Sequence, residues 1–425
     1  MRPFLIKFVA LSIVSGTTIG INKILITLFG LSLEATNWQL GLIGAAETLG
    51  LALGTLPAGV LASRGSPRVL YGVASAVVGG CCLLIPHVGL WFALLPVMTF
   101  TGFCISFRIV SMSSIFLHHV GNLGPAWAGW YKGTLALGTS AIGPWTGEFL
   151  TRRVGLHPTF SISAGLFLAM ATLGVLALPR PVTQSRPRAR REGHWLLPIW
   201  RHRQVRWACL MEGLIGYCAA FFSTFMLVIL MRDHGWPRQR AVQVLVLYGC
   251  TSVAVLLGAG WVLTRVRRNL LDRTIYGLAA LSMLGLGLSQ RPLFLVVWTA
   301  LFSVSVGLNN LLNVVAISES TCDRGHVSGV ATLMQMSGGC LGALLGGLFS
   351  RWFNLQFLFV LFATPWVLAL VSYGGLVRSR SQAPGPPSLR PAKLGYARPK
   401  ERRNEMKITD TTGRLPSGQA DRAGA

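Results

Sequence analysis

The sequence predicts an all-α polytopic membrane protein, with twelve transmembrane helices in two pseudo-symmetric six-helix bundles. Three observations lead there: twelve apolar runs near the length of a bilayer crossing, a basic polar segment that divides them six and six, and a loop pattern that recurs at the same place in both sets. Of the 425 residues, 52% are hydrophobic and 12% charged, a balance outside that of soluble globular chains. A net charge of +25 on a soluble protein would suggest nucleic acid. Here the basic residues fall in loops beside apolar spans, so orientation in a bilayer explains them and no nucleic-acid partner is expected.

A helix needs about 20 apolar residues to cross the hydrocarbon core. The runs 4–31, 38–62, 69–86, 90–116, 127–150 and 159–178 meet this in the first half, and 207–231, 241–264, 274–289, 292–318, 327–350 and 355–377 in the second. The first run is too long for the apolar region of a signal peptide and reads as a transmembrane helix. An even number of crossings puts both termini on one side. Loops on that side, with the first part of the tail, hold 21 Lys and Arg against 7 opposite, so the positive-inside rule places both termini in the cytoplasm. Arg152 and Arg153, on the poorer side, run against the rule. The expected domains are therefore 1–178, a cytoplasmic linker 179–206, 207–377 and a tail 378–425. The linker carries eight arginines and one acid, Glu192, which suits a tether held on the cytoplasmic face beside anionic headgroups. The tail lacks helical periodicity and reads as disordered.

The halves repeat. Residues 56–72 read LPAGVLASRGSPRVLYG and residues 257–277 read LGAGWVLTRVRRNLLDRTIYG. Each has glycine near a helix end, an arginine turn, and a span opening on Tyr-Gly. Duplicated halves place a binding site between them near the midplane. In helix five, Gly143 and Gly147 make a flat patch, as do Gly129 and Gly133, and Pro144 frees a carbonyl one turn earlier. Helix eleven aligns Gly338, Gly342 and Gly346, and helix two offers Gly50 and Gly54. Such patches suit either plain helix packing or an interface that rocks.

Polar residues at membrane depth carry most of the functional signal, because a charge there costs about 2.5–3.5 kcal/mol or more unless paired or solvated. Lys23 and Glu47 lie at nearly equal depth and suit a structural ion pair. Alternatively, Glu47 faces a central cavity and carries a proton. Arg108, about two turns from the cytoplasmic end of helix four, needs a carboxylate, an anion or water, and Glu212 is at comparable depth. Lys132 and Glu148 sit near the ends of helix five, where snorkelling accounts for both. Ser15, Thr18 and Asn22 share one face of helix one, and Asn309 and Asn313 share one face of helix ten. These faces suit a substrate path or interhelical hydrogen bonds. No phosphate loop, HExxH or GxSxG is present, the cysteines lack metal spacing, and His118 and His119 are adjacent. No enzyme, cofactor or metal is expected.

Twelve spans in two sixes, a basic central loop and an arginine turn after spans two and eight resemble the major facilitator superfamily over residues 4–377. In the family's loop between helices two and three, glycine is followed by aspartate, arginine, glycine and further basic residues. Gly59, Arg64, Gly65 and Arg68 match, and Ser63 stands where the aspartate belongs. Gly138, Gly143, Pro144 and Gly147 are similar to the helix-five motif of the family's antiporters, and Arg108 to a membrane arginine of many proton-coupled members. The resemblance implies alternating access, with helices two, five, eight and eleven meeting between the halves and helices one, four, seven and ten lining the cavity. It implies a monomeric secondary transporter of the bacterial inner membrane, with proton-coupled export of a small organic solute as the favoured mode. Glu47 or Glu212 would exchange the proton, Arg108 would tune it, and Ser15, Thr18, Asn22, Asn309 and Asn313 would hold the solute. Uptake or facilitated diffusion on the same fold is a second reading. A membrane partner of an assembly complex, prompted by Ser63, is a third. Deleting residues 183–190 is expected to leave insertion and transport intact; lost transport with normal insertion would contradict the tether.

Overall fold

The computed structural model describes residues 2–120, 132–178, 203–259, 265–318 and 324–381. Among the described residues, twelve α-helices follow in chain order, besides the helical residues 132–136. The first six are α1 (Arg2–Ser32), α2 (Asn37–Arg64), α3 (Pro67–Leu84), α4 (Leu94–Val120), α5 (Gly143–Val154) and α6 (Leu156–Ala177). The others are α7 (Arg203–Val228), α8 (Arg238–Gly258), α9 (Arg268–Leu288), α10 (Pro292–Ser318), α11 (Arg324–Phe349) and α12 (Leu358–Ser381). No strand occurs among the described residues. Among the described residues, nine helices, all but α5, α9 and α12, are long and apolar enough to cross a membrane. Most of the basic linker and the tail beyond residue 381 lie outside the described residues.

Local chemistry sets the helix ends. Thr36 caps α2 through a reciprocal pair with Gln39: the Thr36 amide donates to Gln39 Oε1 (2.7 Å) and the Gln39 amide to Thr36 Oγ1 (3.4 Å), which satisfies two otherwise free donors. Pro67 opens α3, where its missing N–H costs nothing. Pro144 has a different effect. With no N–H to return to the carbonyl of Ser140, the turn before it widens, and Leu137–Ile142 forms a π-helical segment in which the Gly143 amide reaches Gly138 O.

Close helix packing depends on glycine, and the same device occurs in both halves. Gly16 and Gly20 of α1 face Gly138 and Gly143, and a Cβ at any of the four would press on backbone. Gly213 and Gly216 of α7 face the α11 backbone from Met334 to Gly338, and Gly342 faces Tyr217. Without a hydrophobic drive between helices in lipid, such backbone contact is a main source of association. The glycine line 338–342–346 of α11 therefore meets α7, and Gly50 and Gly54 of α2 meet α4. The contact between α2 and α11 uses other residues: Gly41 lies against Ala343 and Gly347, and Thr48 against Gly339. Gly249 of α8 rests on Ser140 and Ala141.

The repeated Tyr-Gly also has one structural meaning. Tyr71 and Tyr276 are both buried. Tyr71 OH donates to Ser15 Oγ (3.0 Å), tying α3 to α1, and Trp207 Nε1 donates to Tyr276 OH (3.0 Å), tying α9 to α7.

At the face where α1, α5, α7 and α11 end, polar contacts join helices of the first six to helices of the last six. Arg232 donates to Asn37 Oδ1 (3.1 Å) and to the Ala35 carbonyl (3.0 Å). Arg152 donates to Gln239 (3.2 Å), Arg238 pairs with Glu148 (3.8 Å), and the Arg351 guanidinium lies 4.4 Å from the centre of the Trp38 ring. Glu148 is thus buried in an ion pair and does not snorkel, because a cation from α8 reaches it. Arg152, against the positive-inside rule, binds across the same seam. Toward the other face, a Cβ at Gly59 in α2 or Gly329 in α11 would meet nothing.

These contacts predict a sharp contrast between two glycine substitutions. Gly342→Leu must push the Tyr217 backbone away and is expected to cost about 1–3 kcal/mol or more, read as a lowered midpoint of thermal unfolding or aggregation on size exclusion. Gly80→Leu, where a Cβ meets nothing, is expected to leave both unchanged.

Candidate functional site

A cavity of about 350 Å³ lies between the two sets of six helices, within the size range of small-molecule sites. From α1 it takes Gly20, Lys23, Ile24 and Thr27; from α2, Thr48 and Leu51; from the π-helical turn and α5, Thr139, Ser140 and Pro144. From α7, α8 and α11 come Phe222, Ser223, Tyr248, Gln335 and Met336, among others. Lys23 is the one charged side chain in this described wall. It is exposed although it lies mid-helix, since the surface it presents is the cavity. Next to it a chamber of about 30 Å³ is lined by Lys23, Thr27, Ile43, Gly44, Glu47, Ser223 and Thr224 among others, room for about one or two waters. Lys23 and Thr27 belong to both spaces, so the Glu47 carboxylate stands behind the lysine as seen from the main cavity. Among the described residues no ion pair within 4.0 Å joins the two, so they share the chamber without forming the direct ion pair that equal depth suggested.

The helix-five motif sits at this site for a mechanical reason. Gly138 and Gly143 let α1 approach, while the widened turn turns Thr139 and Ser140, 3.4 Å apart at their hydroxyls, toward the cavity.

The other polar positions singled out in the sequence lie elsewhere. Arg108 is fully buried and points into the first six helices. Its Nη2 donates to Ser15 Oγ and Thr18 Oγ1 (both 3.1 Å) and to Tyr71 OH (3.4 Å), and its guanidinium lies 4.6 Å from the centre of the Phe167 ring. Its partners are therefore hydroxyls of α1 and α3, with the Tyr71 and Phe167 rings at its face; Glu212 is not among them. Glu212 is buried on α7, acted on by Lys132 and Asn313. Lys132 accordingly has an acid as its neighbour rather than the interface alone.

Ser15, Thr18, Asn22, Asn309 and Asn313 are all buried and none lines the cavity. The α1 face of Ser15 and Thr18 is engaged by Arg108, and Asn22 accepts from Cys82 Sγ (3.4 Å). The cavity is met by the next face of α1, Lys23 and Thr27, and by Thr48, Ser223, Tyr248 and Gln335. Only Lys23 among these had a legible signal, its charge at membrane depth.

In the loop after α2, Ser63 Oγ donates to the Val60 carbonyl of its own helix (2.8 Å) and the Gly65 amide closes α2 on Leu61 O (2.8 Å). Among the described residues no hydrogen bond or ion pair joins Gly59, Ser63, Arg64, Gly65 or Arg68 to α7–α12. A wider hollow of about 500 Å³ at the joined face, lined by Thr36, Asn37, Trp38, Gln39, Ser350 and Arg351, includes no buried acid. The central cavity is the stronger candidate.

The fold is shared with solved transporters. The structure of the nucleoside transporter NupG (D323A mutant) superposes with a TM-score of 0.69 at 16% identity, over 87% of this chain and 99% of that one. The human organic anion transporter MFSD10 (TETRAN) gives 0.64 at 14%, over 86% and 99%. A bacterial homolog to the human lysosomal transporter Spinster, in an inward-facing and occupied conformation, gives 0.67 at 13%, over 90% and 98%. At such identities the likeness is one of fold. No curated protein matches by sequence. The profile of the Major Facilitator Superfamily, however, matches residues 8–343, and the chain belongs to that family.

Proposed function

We propose that this membrane transporter moves a small organic solute through the central cavity by alternating access, coupled to protons at the Lys23–Glu47 pair, with export as the favoured direction. The observation that carries the proposal is the position of that pair: a lysine on the cavity wall and a carboxylate in a water-sized chamber behind it. A lone charge at this depth is costly, and the two forms of lower cost are the ion pair and the neutral acid beside a solvated lysine. A solute that engages Lys23 changes which form is favoured. Proton occupancy of Glu47 is thereby linked to solute occupancy of the cavity.

Direction is read from the likeness of Gly138, Gly143, Pro144 and Gly147 to the antiporter motif. It is supported by the polar contacts at the face remote from the 59–68 loop. With both termini cytoplasmic, that face is the outer one, and a cavity reached from the cytoplasm is the state that loads an exported solute. In this reading the chain works as a monomer in the bacterial inner membrane. Its halves, 1–178 and 207–377, rock about the glycine-packed seam on either side of the tether. Arg108 acts as a positioning residue that holds α1, α3 and α4 together, so that Lys23 keeps its place.

In proteoliposomes, substrate-screening counterflow is expected to find an exchanged solute, whereas a purely structural membrane partner would exchange none. Glu47→Gln is expected to abolish flux driven by a pH gradient while folded protein remains in the membrane and counterflow persists. Unchanged gradient-driven flux would remove Glu47 from the mechanism. Reversal of the sign of the gradient effect would turn the direction to uptake.

A further inference from the structure

A second buried polar site lies within the last six helices. Glu212 is 2% exposed and neither carboxylate oxygen has a hydrogen-bond partner. Asn309 is 0% exposed, with both amide atoms unpartnered, and Asn313 is 5% exposed with a free amide nitrogen. Unsatisfied buried groups are rare and each needs an occupant or another explanation. These three belong together by register. Ring centroids of Phe222 on α7 and Phe302 on α10 are 5.7 Å apart. Glu212 is ten residues back along α7, roughly 15 Å. On α10, which runs the opposite way, Asn309 and Asn313 lie seven and eleven residues on from Phe302, roughly 10–17 Å along the same face. Asn313 faces the carboxylate without closing a hydrogen bond of ordinary geometry.

We propose that Glu212, Asn309 and Asn313 form a binding site for a monovalent alkali cation between α7 and α10, separate from the cavity and from the Lys23–Glu47 pair. The unanswered oxygens are the Glu212 carboxylate and the Asn309 amide carbonyl, hard oxygens that suit a hard cation. A protonated Glu212 has one O–H and answers one acceptor, whereas a cation is shared by several oxygens at once. The single negative charge sets the valence. A divalent ion in this apolar surrounding would keep an uncompensated charge, and Lys132, which acts on the same carboxylate from the first six helices, adds a further positive one. A monovalent cation competes with Lys132 for Glu212, so occupancy loosens an attraction across the seam. Among the described residues no cluster of three His, Cys, Asp or Glu is available for a transition metal, and none is needed here.

The test is thermal unfolding of the full-length protein in detergent, in choline chloride and with choline replaced by sodium, lithium or potassium at constant ionic strength. One of the alkali ions is expected to raise the midpoint by roughly 3–6 °C at about 100 times its dissociation constant, and Glu212→Gln to abolish the rise. No difference from choline, or an equal rise in Glu212→Gln, overturns the proposal and leaves a protonated carboxyl. Should Glu212→Gln fail to fold, Asn309→Asp decides. A second carboxylate steepens the cation response if the site exists and leaves it unchanged if it does not.

Discussion

Every charge inside a bilayer must find an answer within the protein, and the arrangement of this chain follows from how its buried charges are answered. Arg108 is met at Nη2 by three hydroxyls and across its face by two aromatic rings, while its Nε and Nη1 are buried without a hydrogen-bond partner. Glu148 is met by Arg238 at the seam. Lys23 is met by the cavity on one side and by the chamber that holds Glu47 on the other. These are three different outcomes of one constraint, and only the last leaves a charge exposed to an incoming solute. Of these charges only Lys23 lines the central cavity, with Glu47 in the chamber beside it, and the proposed coupling is placed there.

The glycine contacts supply the mechanics. Packing of α1 on the helix-five segment and of α7 on α11 is backbone on backbone in both halves, so each pair is expected to move as one stiff unit. The contacts between halves use the same close backbone approach at Gly41 and Gly249 and add polar contacts at one rim. They combine small-residue patches in α2–α11 and α5–α8 with arginines at one face that make hydrogen bonds, one ion pair and a ring contact. Exposed polar contacts of this sort are individually weak. A molecule with tight packing inside each half and weak polar contacts at one rim is suited to rock.

The sequence made the fold class legible because length, apolarity and charge asymmetry are properties of whole segments. The repeat was legible too, and Tyr71 and Tyr276 show what it encodes. The site was legible in part. Periodicity tells which residues share a helix face, as with Ser15 and Thr18, but not which neighbour that face meets. Here it met Arg108, and the cavity received the adjacent face with Lys23 and Thr27. The same limit applies to Gly338, Gly342 and Gly346, whose line was plain while its partner, α7, was not. Depth alone suggested Glu212 as a partner for Arg108, yet the two side chains leave their helices toward different bundles. Thr139 and Ser140 reached the cavity through the widened turn before Pro144, a change of phase that an ideal helical count does not contain.

The most direct measurement for the central claim is accessibility of the cavity wall from each side of the membrane. Ser223→Cys, in a chain with its native cysteines replaced, is treated with a membrane-impermeant thiol reagent. Modification is expected from the side bearing residues 64–68, and from the opposite side only when Arg232 and Arg238 are changed to alanine to loosen the joined face. Modification from neither side, or equally from both without those changes, would contradict a central cavity gated by the contacts between the halves.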